Sequence, residues 1–392
     1  MKRFLVFAVI VALLAGYAYF ALSRPVPALQ PAKLTSNLQV TTPTSKLAWP
    51  ANQAAIMLDG EHISEARGAQ TPIAAASTAK IITALMVLKQ KPLAIGQQGP
   101  SITITAADVA RYNNYVAQDG SVIPVQAGEQ ITEYQALQAL LLPSANNIAD
   151  KLAEWAYGSL EQYTKYANSY LLSQGLKNTV VGSDASGLDP STKSTAADMI
   201  KIGDLAMQNP VIAQIVAQPT ATGIPLTTSV KNVNFLLGTD GIVGIKTGNS
   251  DQAGGAFVGA AKFKIGSDEK TIITSVMGAP DLVNALRQSQ ALIRSAQTNF
   301  TQVEVVKKGT KLGEYTQPWG GTIQAVASHD LSIYAWNGSP IKPSIKLNKT
   351  SEDPQAGQVV GRLTANRESV AIVLKANPSQ PPVLWRLSHP LQ

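Results

Sequence analysis

The sequence has no cysteine. Disulfides, a thiol nucleophile and cysteine-ligated zinc are therefore excluded. Histidine is nearly as scarce: His62, His329 and His389 are the full set, and no HExxH pattern occurs. A histidine-rich metal centre does not fit that count, and a Ser-His-Asp triad would have to draw on those three. Long runs of like charge are also missing. Lys and Arg are scattered, the formal net charge is a modest +7, and no stripe of aromatic and basic residues stands out. That pattern argues against nucleic acid as a partner and agrees with an anionic environment. What is present is ample apolar material, 45% of residues. It suffices for a sizeable core over the two or three domains that the length suggests.

The chain opens with MKRFLVFAVIVALLAGYAYFALSR. Lys2 and Arg3 precede an unbroken apolar run from Phe4 to Leu22, 19 residues long, against about 20 for a helix that spans a bilayer. The run exceeds the ~7–15 residues of a secretory signal core, and no good A-x-A site follows it. Residues 1–24 therefore read as an uncleaved signal-anchor helix, with Gly16-Tyr17-Ala18 keeping cleavage open. The early positive charges place the N-terminus inside and export the remainder. Residues 25–47 carry four prolines and several Ser and Thr. They read as a linker that holds the globular part off the membrane.

Beyond it, QAAIMLD at 53–59 and EHISEARG at 61–68 predict a hairpin about Gly60. An apolar helix is predicted from Ser77 to about Lys89, and successive helices broken near Pro143-Ser144 and closed by Gly175. Ser194 or Thr195 caps a helix over 194–208; GIVGIKTGN, GGAFVGAAKF and TIITSVMGA follow as three consecutive strands, and PDLVNALRQSQALIRSA as a helix. Strands, then helices, then strands and a last helix make an α+β domain over 48–298, whose terminal segments share one antiparallel sheet. From about Asn299, short β-like runs alternate with Gly, Pro and Asn turns, which predicts a small all-β domain over 299–392.

Ser77 and Lys80, at the head of the apolar stretch AAASTAKIITALMVLKQ, raise the question of chemistry. Serine is a common helix cap and lysine a common surface residue. Ser-x-x-Lys also recurs at Ser267/Lys270 and Ser339/Lys342, in turn-rich sequence. At i and i+3 of a helix, however, the first pair shares a face near free backbone N–H groups. A serine nucleophile needs a base, and lysine serves only when burial or a neighbouring cation makes it neutral. The chain offers two further groups: Ser144-Ala145-Asn146 at the break between helices, and Lys246-Thr247-Gly248 on a strand.

These three motifs, in this order, resemble those of the penicillin-recognising serine enzymes, in particular the D-alanyl-D-alanine carboxypeptidases of the low-molecular-mass penicillin-binding protein group. TVVGSDASGLDPSTKSTAADMIKIG, KNVNFLLG ahead of GIKTGNSDQAGG, and AGQVVGRLTA are similar to family segments as well. The resemblance covers residues 50–390 and implies a β-lactamase/DD-peptidase-like domain. It implies that Ser77 attacks the penultimate D-alanine carbonyl of a peptidoglycan stem peptide, with Lys80 as base. Ser144 would relay a proton to the leaving amine, and Asn146 would hold Lys80 and the substrate amide. Lys246, Thr247 and Gly248 would bind the substrate, and Asn249 would lend its N–H to an oxyanion hole with that of Ser77. It implies β-lactams as acylating inhibitors and no metal or organic cofactor. Many relatives carry His at the position of Asn249, Arg287 is the only arginine near the third strand, and no amphipathic C-terminal membrane helix is read. The alternatives on the same fold are a DD-endopeptidase and a β-lactamase, whose deacylating Glu would be Glu154 or Glu161, both without Glu-x-x-Leu-Asn. A non-catalytic wall-binding protein is the alternative of another class.

Overall fold

The computed structural model describes residues 2–34, 38, 40–58, 63–266, 268–366 and 368–391. The chain divides into two compact units, 46–299 and the pair of segments 1–45 and 300–392.

In the first unit a five-stranded antiparallel sheet forms from the two ends of the segment. β2 (Gln53–Leu58) and β3 (Ile63–Arg67) come from its start. β4 (Ile242–Ser250), β5 (Gly254–Ile265) and β6 (Asp268–Ala279) come from its end, in the order β4-β5-β6-β2-β3. The strands of the predicted hairpin pair in register, while its turn, with Gly60 and His62, lies outside the described residues. Helix α7 (Ala196–Gln208) packs on one face, where Gly203 lies against Ile245, Val258 and Ile273. Helix α9 (Leu282–Gln297) packs on the other, where Ser289 meets Thr274 and Gly259. Alternate residues of one strand thus serve opposite faces, and both faces are covered. The intervening chain supplies a helical cluster: α2 (Lys80–Gln90), α3 (Ala106–Ala117), α4 (Glu133–Leu141), α5 (Asn146–Tyr157), α6 (Leu160–Ser173) and α8 (Pro210–Val216). Thr105 with Asp108, and Thr132 with Gln135, form capping boxes at α3 and α4. Left-handed Gly158 ends α5, a break additional to the one read at Pro143-Ser144. Apolar side chains such as Ile81, Leu140, Leu152, Met199 and Ile212 join this cluster to the sheet in one core.

The second unit is built on β-strands around a core of Leu312, Tyr315, Leu363, Ile372 and Leu374. The stretch read as a linker is built into it. β1 (Gln30–Leu34) pairs antiparallel with the strand Lys311–Thr316 as the edge of a six-stranded sheet. Leu29 is fully buried and its N–H donates to Thr350. Val40 bridges to Ile341, and the carbonyl of Pro43 accepts from Gly338. The reason is backbone pairing, which a proline-rich composition conceals. The apolar N-terminal run forms α1 (Lys2–Ser23), whose residues 3–23 have a mean hydropathy of 2.4. At the other end a six-residue helix, α10 (Val383–Ser388), packs against α1; the Leu387 carbonyl accepts from the Tyr17 hydroxyl.

Candidate active site

Ser77 lies in a 3-10 turn, Ala76–Ala79, and α2 begins at Lys80. The serine is thus not the helix cap that the sequence suggested: Ala75 precedes the turn and Ala79 caps the helix, neither with a side-chain bond. The turn leaves Ser77 half-buried while Lys80 is wholly buried. Lys80 Nζ donates to Ser77 Oγ at 2.8 Å, to Asn146 Oδ1 at 2.7 Å and to the carbonyl of Ser186 at 3.0 Å. Burial pushes the Lys80 pKa down to about 7, against the opposing pull of the Asp184 and Asp150 carboxylates. An amine near neutrality beside a hydroxyl is what proton abstraction from serine requires.

The second motif arrives from the joint between α4 and α5. Leu142 to Ala145 turn the chain, and Asn146 opens α5 with its N–H donated to Ser121 at 2.7 Å. Gly120 leaves room for its amide: a Cβ there would stand 2.8 Å from Asn146 Nδ2. Ser144 is buried with φ of 70°, in the region that disfavours side chains, and its Oγ has no hydrogen-bond partner among the described residues. Asn147 points elsewhere. Its amide holds the backbone of Ile123 at 3.3 and 3.0 Å, a structural clamp that separates it from Asn146.

The third motif lies along β4. Gly248 touches the nucleophile turn, since a Cβ on it would sit 3.1 Å from the N–H nitrogen of Thr78 and 3.2 Å from that of Ser77. A side chain there would push the turn back by a few tenths of an ångström, so glycine suits this close approach. Lys246 and Thr247 are buried, Lys246 Nζ donating to the Thr247 carbonyl at 3.0 Å. Burial, reinforced by the neighbouring Lys80, holds the Lys246 pKa well below the usual lysine range. Asn249 is exposed and lines a cavity of about 700 Å³ with Arg111, Tyr115, Asp150, Asp184 and Leu188, within the size range of small-molecule sites.

Three segments far apart in sequence thus meet at one place, and the eight residues singled out in the sequence lie on them. The sequence model of the D-alanyl-D-alanine carboxypeptidase family matches residues 41–281. The chain belongs to that family. It is 25% identical over 298 residues to the D-alanyl-D-alanine carboxypeptidase DacA of Haemophilus influenzae, 74% of this chain and 73% of that one. To DacB2 of Mycobacterium tuberculosis it is 31% identical over 210 residues, 52% and 67% of the two chains. Among solved structures, penicillin binding protein 5 of Haemophilus influenzae shares the fold with a TM-score of 0.60 at 22% identity, over 86% of this chain and 98% of that one. The Streptomyces K15 DD-transpeptidase matches with a TM-score of 0.56 at 27% identity, over 65% and 98%. The family is one of serine-type, penicillin-binding carboxypeptidases, and the α+β fold with its trailing β region is theirs.

Residues absent from the sequence reading complete the surroundings. The Ser186 carbonyl touches Lys80 directly, and Asp150 and Asp184 lie buried nearby. The signal for Asp184 and Ser186 was present in DASGLD, within a segment recognised only for its likeness to the family, while Asp150 stands four residues after Asn146 in SANNIAD. Glu154 is bound by Arg111 at 2.5 Å, and Glu161 stands exposed in the first turn of α6. Arg287 lies over Phe235 and donates to Gln290. His329 and His389 are exposed neighbours of Ser328 and Ser388 in the β unit. Among the described residues no group of three or more His, Asp or Glu is placed to hold a metal ion.

Proposed function

We propose that this carboxypeptidase removes the terminal D-alanine from peptidoglycan stem peptides through an acyl-enzyme on Ser77. The observation that carries the assignment is the buried Lys80 amine at 2.8 Å from Ser77 Oγ, with its pKa brought down to about 7. Lys80 takes the hydroxyl proton as Ser77 attacks the penultimate carbonyl. The N–H groups of Ser77 and Asn249 receive the developing oxyanion, an arrangement supported by the close approach of Gly248 to Ser77. Such donors typically contribute ~10²–10³ in rate. Ser144, whose hydroxyl is unengaged, passes the proton to the departing D-alanine amine. Asn146 keeps Lys80 in line and binds the substrate amide. Lys246 and Thr247 receive the terminal carboxylate, and an arriving anion favours the charged form of Lys246 that burial disfavours. Water then releases the shortened peptide.

β-Lactams present the same acyl centre and a carboxylate, so they acylate Ser77. The engagement of Glu154 by Arg111 and the exposure of Glu161 leave neither poised to activate water, so the adduct persists. We further place the unit outside the cytoplasm with α1 in the membrane. Its 22 residues give a helix of about 33 Å, enough for a hydrocarbon core of ~30 Å. Mass spectrometry of a D-Ala-D-Ala pentapeptide after incubation tests the whole reading. Loss of one alanine, blocked by penicillin and absent in Ser77→Ala, is expected; an alanine released equally by Ser77→Ala overturns it.

A further inference from the structure

The proposed mechanism needs a base that is poised, not merely buried. Removing an amine from water pushes it towards neutrality, and a second lysine pushes the same way. Something must hold the proton back, and the structure supplies it on the side of Lys80 away from the sheet. Asp150 lies one turn along α5 from Asn146, so one helix face carries both. Its carboxylate accepts from the Tyr115 hydroxyl at 2.7 Å and from the N–H of Ala185 at 3.0 Å, with Arg111 Nε at 3.6 Å. Asp184 accepts from Ser186 Oγ at 2.6 Å and from the N–H groups of Gly187, Leu188 and Asp189 at 3.0, 3.1 and 3.3 Å. Both carboxylates are at most 9% exposed.

The turn that they grip is the one that reaches the base. The Ser186 carbonyl accepts from Lys80 Nζ, and the Ala185 carbonyl accepts from Thr83 Oγ1 at 2.6 Å, one turn further along α2. Gly187 is pressed so tightly on the nucleophile turn that a Cβ would lie 2.2 Å from the Ala76 carbonyl oxygen, and its φ of +75° favours glycine in any case. The titratable groups around Lys80 and its two carboxylates are Lys246 on β4, Asp150 on α5, Asp184 in the turn, Tyr163 on α6 and Tyr115 on α3. Of these only the two aspartates favour a charged amine.

We propose that Asp150 and Asp184 are positioning residues for the base: they clamp the 184–189 turn so that the Ser186 carbonyl seats the Lys80 amine, and their buried negative charge sets the pH at which Lys80 gives up its proton. The inference rests on the Ser77–Lys80 reading. A buried carboxylate favours the protonated amine, so neutralising one makes Lys80 neutral at lower pH. Asp150→Asn keeps an acceptor for Ala185 and removes the charge; the NH2 that replaces the second oxygen can donate to the Tyr115 hydroxyl, which then accepts. Asp184→Asn loses charge and one acceptor oxygen, so its turn is looser as well.

The test is the rate of Ser77 acylation by a fluorescent penicillin across the neutral pH range, in the full chain and in the two variants. The acidic limb is expected to move to lower pH in both, by about half a unit or more, and the maximal rate to fall further in Asp184→Asn than in Asp150→Asn. A purely structural role would lower rates without moving the limb, and limbs that coincide with the parent protein overturn the proposal. Should neither variant fold, carboxyl-carbon NMR of the unaltered protein decides. Inflections of Asp150 and Asp184 at the pH where Lys80 titrates uphold the inference, and their absence ends it. A parent protein that takes no label at Ser77 brings down the nucleophile reading and this proposal with it; labelling with unmoved limbs brings down this proposal alone.

Discussion

The two units of this protein are built on the same apolar logic but differ in what else they bury. The 46–299 unit encloses Lys80, Asp108, Glu133, Asp150, Asp184, Asp198 and Lys246; the buried polar side chains described in the β unit are Gln317 and Thr350. Buried charge is expensive unless paired and hydrogen-bonded, and replacing it with apolar groups is often neutral or stabilising. Some of it here is structural: Asp198 anchors Asn178 and Thr179 at 2.9 and 3.0 Å. The lysine pair beside Ser77 is hydrogen-bonded as well, but two like charges in one buried place oppose folding. The acyl transfer proposed at Ser77 gives the pair a use. Among the described residues the β unit carries no comparable burden.

That contrast can be broken at several points. Lys80→Ala removes the base and should slow penicillin acylation by ~10²–10⁴, as read by adduct formation over time; a rate within a few-fold of the parent protein would sink the assignment. Leu363→Ala, in the β core, should lower stability by about 2–5 kcal/mol in denaturant unfolding, yet leave acylation by the folded protein unchanged. A matching loss of acylation would mean that the units share their chemistry. Acidity sharpens the same point. In the proposed mechanism Lys80 acts when neutral, the form present above its pKa of about 7. Acylation should therefore fall by about tenfold per unit as pH drops below that value, while the far-ultraviolet circular dichroism stays constant.

The smallest effect concerns a buried group with no role in catalysis. Both carboxylate oxygens of Glu133 lack partners, and burial pushes its pKa up to about 7 in spite of Lys91. The folded state therefore keeps a proton that the unfolded chain gives up at lower pH, and stability falls as pH rises through that interval. Glu133→Gln should flatten this fall with acylation unaffected. Unfolding midpoints that decline equally in both proteins would remove Glu133 as the cause.

Much of the site was legible because its chemistry imposes residue types at short spacings. Ser77 and Lys80 are three apart, Ser144 and Asn146 two apart, and Lys246 to Gly248 contiguous. The cap read at Thr195 is a local signal of the same sort. What escaped notice was set by distant partners. Asp150 looks like any helix residue until Ala185 and Tyr115 arrive from other elements. Ser77 reads as a cap because serine favours that place, and only the packing of Gly187 and Gly248 against its turn sets the 3-10 geometry. The strand Gln30–Leu34 is exposed along its whole length, so it carries no alternating pattern and is defined by its backbone ladder alone.

That strand has a consequence for biosynthesis. It leaves the ribosome early, but its partner Lys311–Thr316 follows some 280 residues later. At ~5–20 residues per second, it waits about a quarter-minute to a minute with an unpaired edge, while the catalytic segment, continuous in sequence, has everything it needs to assemble. Pro31 and Lys33 within the strand make it a poor template for stray pairing during that interval. The β unit is thus closed last, by the joining of the chain's earliest and latest segments.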